Sequence, residues 1–183
     1  RRLVNAFINS ASLDGYDAQD QNDAIDESKP ELGTKYPKGM RLGVNLFSSR
    51  TRVVVKLTGD KKKLLAGVKG MKWPMGATYT HKALDQARTM LKFSKKNRMK
   101  TILLITDGRA TNRRAAFTVA RSIRRQGMTI KVLPVGRGIP YWQVCRMASS
   151  PCSQNVEMAR RWRNLDWQIN KFIAGTCPRV AVR

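Results

Sequence analysis

Apolar residues fall into short, β-branched runs separated by amphipathic stretches along most of this chain. Residues 101–105, Thr-Ile-Leu-Leu-Ile, form one such run, and the pattern predicts a strand buried on both faces. It ends at Thr106-Asp107-Gly108, which puts a carboxylate at the strand tip and a glycine where the chain turns away. Asn112 then caps a predicted helix with an apolar face of Ala116, Phe117, Ala120 and Ile123, and Gly127 ends it. Residues 128–135 predict a second buried strand.

Upstream, residues 3–8 read as a first strand running into Asn9-Ser10-Ala11-Ser12. Residues 14–38 are polar, with aspartates every third residue and two prolines, so a weak or irregular helix followed by a loop is expected. Residues 40–47 and 51–57 are strands, and the three-residue gap between them predicts an antiparallel hairpin. Asp60 opens a short basic helix, and Trp73-Pro74-Met75-Gly76 breaks the chain. Residues 80–95 carry Ala83, Leu84, Ala87, Met90 and Leu91 at helical spacing. A helix from about Tyr141, a cysteine loop, a short strand near Val156 and a helix over 162–174 complete the prediction.

Strands alternating with helices predict an α/β fold. The sheet should be open, twisted and mostly parallel, with one antiparallel edge hairpin and helices on both faces. Residues 1–183 read as one domain, without repeats or a linker. A nucleotide-binding version is disfavoured: no G-x-G-x-x-G follows the first strand, and Gly136-Arg137-Gly138 comes late and lacks the third glycine.

Charge changes the picture. The formal net charge is +24, and seven of the twelve acids lie between positions 14 and 31. Such a field attracts polyanions, whether nucleic acid, sulfated glycans or anionic membrane. Lys61, Lys62, Lys63, Arg121, Arg124 and Arg125 are the candidate polyanion-binding residues. No apolar run is long enough to span a membrane, so none is expected to insert. No signal peptide is visible, and the start at Arg1-Arg2 without a methionine leads us to expect a fragment or a processed form.

Cys145 and Cys152 enclose a short polar loop that fits a disulfide, with reduced, buried thiols as the alternative. The four tryptophans read as packing residues, and the single His81 as a surface helix residue without a role. An enzyme is not expected, because one histidine and three cysteines offer no nucleophile–base pair.

In open α/β sheets ligands collect at the carboxyl ends of the strands. Three loops fall there and offer Ser10 and Ser12, Thr78, and Asp107. Hydroxyls and one carboxylate are hard-oxygen ligands suited to Mg²⁺. The same residues also suit plainer roles: a helix cap for Ser10, Ser12 or Asp107, a turn for Thr78.

The pattern SAS…GATYTHKAL…LLITDG resembles the von Willebrand factor A domain, the integrin I-domain fold, across essentially the whole chain. It is similar most of all to the apicomplexan thrombospondin-related adhesive proteins of the micronemes. GVNLFSS, the VCRMASSPC loop and WQINKFIAGTC carry that likeness. The family's metal-ion-dependent adhesion site uses D-x-S-x-S, a threonine from a G-x-T-x-T-like loop, and the aspartate of T-D-G. Ser10 and Ser12 match the two serines, Thr78 the threonine and Asp107 the second aspartate, whereas Ile8 stands at the first aspartate's position. The resemblance implies a secreted or cell-surface adhesion domain of a larger protein that takes part in host-cell invasion. Its partner would be a host-cell receptor or a sulfated glycosaminoglycan of the heparin type, and its Mg²⁺ site would lack one anionic ligand. A scaffold without metal, binding nucleic acid or sitting in a larger complex, is the alternative. The family ties its two termini together, so Cys177 is expected to pair with a cysteine upstream of Arg1.

Overall fold

The computed structural model describes residues 40–159, apart from 73, 95–97 and 137. The expected strand over 3–8, the irregular helix and loop over 14–38, the helix over 162–174, and Ile8, Ser10, Ser12 and Cys177 lie outside the described residues.

Strands β1 (Leu42–Phe47) and β2 (Thr51–Thr58) form the expected antiparallel hairpin, with Asn45 opposite Val53 and Phe47 opposite Thr51. Helix α1 (Lys61–Lys69) follows, and the Asp60 carboxylate caps it by accepting from the Lys63 amide at 3.0 Å. That backbone hydrogen bond holds the Asp60 pKa below its ordinary value. Leu64 and Val68 of α1 are fully buried in a small cluster against the hairpin. The helix can come this close because Gly67 faces Val55, whose side chain occupies the space a Cβ would need.

Helix α2 (Thr80–Lys92) buries Thr80, Ala83 and Leu84 and touches both the hairpin and the next strand. It stops short of the expected residue 95, because the Ser94 hydroxyl and amide both donate to the Leu91 carbonyl and close the last turn.

Strands β3 (Thr101–Thr106) and β4 (Thr129–Pro134) pair in parallel, in register from Thr101–Thr129 to Thr106–Pro134. Between them runs α3 (Arg113–Arg125), capped as expected by the Asn112 side chain, which accepts from the Ala115 amide at 3.0 Å. Gly127 ends the helix at φ +74°, a left-handed conformation that favours glycine. Helices α4 (Tyr141–Met147) and α5 (Cys152–Asn155) complete the described chain, joined by the Cys145–Cys152 disulfide. The expected strand near Val156 is reduced to isolated parallel bridges, Val132–Val156 and Val135–Ala159.

The main core lies between the parallel pair and its helices. Ile102, Leu104, Ile130 and Val132 meet Ala116, Ala120 and Ile123 of α3 and Val144 and Met147 of α4. Two alanines one turn apart let α3 approach the sheet closely. β4 is buried on both faces, as expected, but β3 alternates: Leu103 and Ile105 are only half-buried.

One buried position in β4 is a lysine. Lys131 is 5% exposed, and its Nζ donates to the Gln154 carbonyl at 3.4 Å. Burial pushes its pKa below the ordinary 10.5 because the interior disfavours the charged form. The unfolded chain therefore binds more protons between the lowered folded value and 10.5, and stability rises with pH across that window. The stability of the native chain relative to a Lys131→Met variant should increase as pH is raised toward 10.5 in chemical unfolding. A difference that stays flat, or falls, would contradict this assignment.

Candidate functional site

Parallel pairing sets Thr106 and Pro134 at the same end of the sheet, so the turn at Asp107 and the loop after β4 emerge side by side. The Val135 amide donates to the Thr106 carbonyl at 2.8 Å and extends the ladder one step. The Thr106 hydroxyl donates to the Gly108 carbonyl at 3.1 Å and fixes the turn that presents Asp107. Arg109 Nε donates to the Gly138 carbonyl at 2.6 Å and clasps the two loops together.

The loop carrying Thr78 is clamped from two sides. Toward the hairpin, the Ala77 amide donates to the Ser49 hydroxyl at 2.8 Å and the Tyr79 amide to the Ser48 carbonyl at 3.1 Å. Gly76 allows this approach: its φ is +121°, and a Cβ there would collide with the Ser49 hydroxyl. Toward the sheet, Thr78 and Thr111 are joined twice. The Thr78 amide donates to Thr111 Oγ1 at 2.9 Å, and the Thr111 amide donates to the Thr78 carbonyl at 3.0 Å. The Thr78 hydroxyl consequently lies against the Asp107-Gly108 turn: a Cβ on Gly108 would stand 2.7 Å from Thr78 Oγ1. The structure thus brings two of the four expected ligand residues to one place.

Asp107 is exposed, and among the described residues no hydrogen bond or ion pair engages its carboxylate. The described carboxylates Asp60 and Asp85 are both paired, to Lys63 and Arg88. Thr78 and Asp107 supply one neutral and one anionic oxygen, which fits a hard divalent cation in kind. No group of three or more His, Cys, Asp or Glu able to hold a metal occurs among the described residues. Any further ligands would come from Ser10 and Ser12, outside them.

Sequence reasoning missed Thr111, Ser49 and Arg109, whose roles rest on contacts between residues 28 to 33 positions apart. Trp142 departs from the packing role expected of it: it is 50% exposed. Its ring meets Phe117 edge-on at 6.3 Å, and the Arg113 guanidinium lies 5.9 Å above it. His81 is partly covered rather than free on the surface, with a buried Nδ1 and its ring edge-on to Tyr79 at 5.6 Å.

The candidate basic residues fall on two separate helices. Lys61, Lys62 and Lys63 open α1 on the hairpin, and Lys63 is paired with Asp60 at 3.4 Å. Arg121, Arg124 and Arg125 lie near the end of α3. Arg121 and Arg125 are exposed, while Arg124 is partly buried and its Nη1 donates to the carbonyls of Arg146, Met147 and Ala148 at 2.8–3.2 Å.

The fold is shared with solved structures of low sequence identity. Proximal thread matrix protein 1 from the mussel byssus aligns with a TM-score of 0.72 and 16% identity, over 96% of this chain and 39% of that one. A second structure of the mussel protein, with its MIDAS motif occupied by zinc, gives 0.71 and 17% over 94% and 38%. Manganese-loaded TRAP protein of Plasmodium vivax gives 0.67 and 22% over 93% and 63%. The chain therefore spans about two fifths of the mussel protein and under two thirds of the Plasmodium one. The family model for the von Willebrand factor type A domain matches residues 9–171. With that match covering most of the chain and the T-D-G aspartate standing beside its threonine, this protein belongs to the von Willebrand factor type A domain family.

Proposed function

We propose that residues 1–183 form one extracellular adhesion domain that binds host-surface ligands at the Thr78–Asp107 edge and through its basic surface. The observation that carries this reading is the exposed, unengaged Asp107 carboxylate in a turn whose next residue, Gly108, lies against the Thr78 hydroxyl. The mussel and Plasmodium proteins, with zinc and manganese, are consistent with a divalent cation at the corresponding edge. The Cys145–Cys152 disulfide favours an oxidising, secreted setting. We assign no catalytic step: both thiols of this pair are consumed, and His81 Nδ1 is buried without a hydrogen-bond partner.

A bound Mg²⁺ would supply an open coordination position for a carboxylate of the ligand. Ser10, Ser12, Thr78 and Asp107 are the residues that would hold it. Ile8 replaces the second anion, and the basic chain repels cations, so Mg²⁺ binding by the native protein should be weak or absent. An Ile8→Asp variant should gain binding of Mg²⁺ and Mn²⁺, read by calorimetry on both forms. Tight binding by the native chain would show that the first loop is placed wrongly. A folded variant without any gain would count against the whole ligand frame.

The basic surface supports a sulfated glycosaminoglycan as partner. Retention on heparin should fall steeply with salt, as the Debye length shrinks from about 10 Å at 0.1 M to about 3 Å at 1 M. Nucleic acid is the second reading, carried by the +24 charge. A preference for structured RNA over heparin at matched salt would select it.

A further inference from the structure

At the other end of the strand pair from Asp107, a cleft of about 290 Å³ opens beside the disulfide, where α3 meets the loop joining α4 to α5. Arg121, Arg124 and Arg146 line it together with Ser149, Ser150 and the two half-cystines, and no carboxylate is among the lining residues. Ser149 locates the cleft: its amide donates to the Ile130 carbonyl at 2.8 Å and its hydroxyl accepts from the Ile130 amide at 2.9 Å. Ile130 stands near the start of β4, while Asp107 follows the ends of the strands.

Two of the three guanidiniums are held rather than loose. Arg124 is pinned through Nη1 by the last carbonyls of α4 and the one beyond, which leaves its remaining N–H donors for a ligand. The Arg146 guanidinium lies 4.8 Å above the Phe117 ring, a cation–π contact that fixes a long side chain in place. Arg121 sits one turn before Arg124, and burial, followed by repulsion from Arg121, lowers the Arg124 pKa. The Ser149 hydroxyl already accepts one hydrogen bond, so its proton is available to donate outward.

Three like charges lining one cleft without a carboxylate among them repel one another, and a bound anion relieves that repulsion. Arginine forks match the geometry of oxyanions bidentately. The volume lies at the lower limit for ligand pockets, enough for one such group and the unit bearing it, not for an extended chain.

We propose that this cleft is a discrete site for a single tetrahedral oxyanion, a sulfate or phosphate monoester borne on a larger ligand. It deepens the reading of the basic surface as polyanion-binding, because it gives that surface one stereospecific contact. Arg121 and Arg146 clasp the oxyanion with Arg124, and the Ser149 and Ser150 hydroxyls donate to its remaining oxygens.

The test titrates inorganic sulfate at constant ionic strength, by calorimetry, into three forms of the protein. These are the native chain, an Arg121→Gln/Arg146→Gln variant, and a Lys61→Gln/Lys62→Gln/Lys63→Gln variant that removes more charge elsewhere. Arg124 is left intact because it ties down the end of α4; an Arg121→Gln single variant serves if the double variant is unfolded. Saturable binding of one sulfate is expected, at least tenfold weaker in the arginine variant and within twofold of native in the lysine variant. Equal loss in both variants, or no saturation in the native chain, overturns the proposal. Heparin retention measured in parallel separates the two readings. Retention lost in the lysine variant without saturable sulfate binding sinks the cleft and spares the polyanion surface. Saturable sulfate with no heparin retention above a plain cation exchanger sinks the polyanion surface and spares the cleft. Repeating the titration with glucosamine 6-sulfate and glucose 6-phosphate identifies which ester is the natural source, by at least a fivefold preference for one.

Discussion

An Ile130→Ala variant should lose about 4 kcal/mol of unfolding free energy, the largest single-residue loss expected among the described residues. Ile130 is fully buried in β4, touched from one side by α3 and α4 and flanked by Ile102 in the paired strand. Its surroundings cannot collapse into the space left behind. Ser149 bonds both the amide and the carbonyl of Ile130, and the parallel ladder holds the backbone on the other edge. The cost therefore combines lost transfer free energy with a persistent cavity. Leu64→Ala is the comparison: Leu64 is equally buried, but its cluster holds only Val68 beside it as a second buried residue. The half-buried neighbours there can shift inward, so the loss should be about 2 kcal/mol. Denaturant midpoints measured at unchanged slope give both values. A larger loss at Leu64 than at Ile130 would show that the hairpin cluster, not the parallel pair, is the principal core.

Removing the disulfide by Cys145→Ser/Cys152→Ser should lower stability by about 2–3 kcal/mol. The bridge closes a loop of seven residue separations, and so short a loop restricts the unfolded chain only modestly. Treatment of the native protein with a reductant should produce the same shift in midpoint. Peptide mapping without reductant should recover the two cysteines as one linked pair. Finding both alkylated would remove the bridge and, with it, the main support for an extracellular setting. Because Ser149 and Ser150 lie within the loop, the double variant should also weaken sulfate binding at the arginine cleft.

What the sequence determined by itself was whatever depends on neighbours along the chain. The hairpin at residues 40–57 follows from two β-branched runs three residues apart, and its observed strands differ by a residue or two at the ends. Asp60 and Asn112 cap their helices as their positions predicted, because a cap bonds an amide only three residues away. The face of α3 was legible from its spacing: Ala116, Ala120 and Ile123 are buried, while Phe117 of the same predicted face is only half-buried. The disulfide was favoured by the residues over reduced thiols, and the fold brings the two cysteines' Cα atoms to 5.2 Å. Tertiary structure decided more than this at the sites. Thr78 and Asp107 are far apart in sequence, and only the Thr111 clasp and the bare Gly108 bring hydroxyl and turn together. Arg124 read as one more surface charge, yet three carbonyls more than 20 residues away claim part of it. Lys131 broke an apolar run without any sign of where its ammonium would go. Periodicity reports which way a side chain points from its own element. It carries no record of which distant backbone lies opposite, and charge placement, the arginine cleft and the Thr78–Asp107 edge are all set by that encounter.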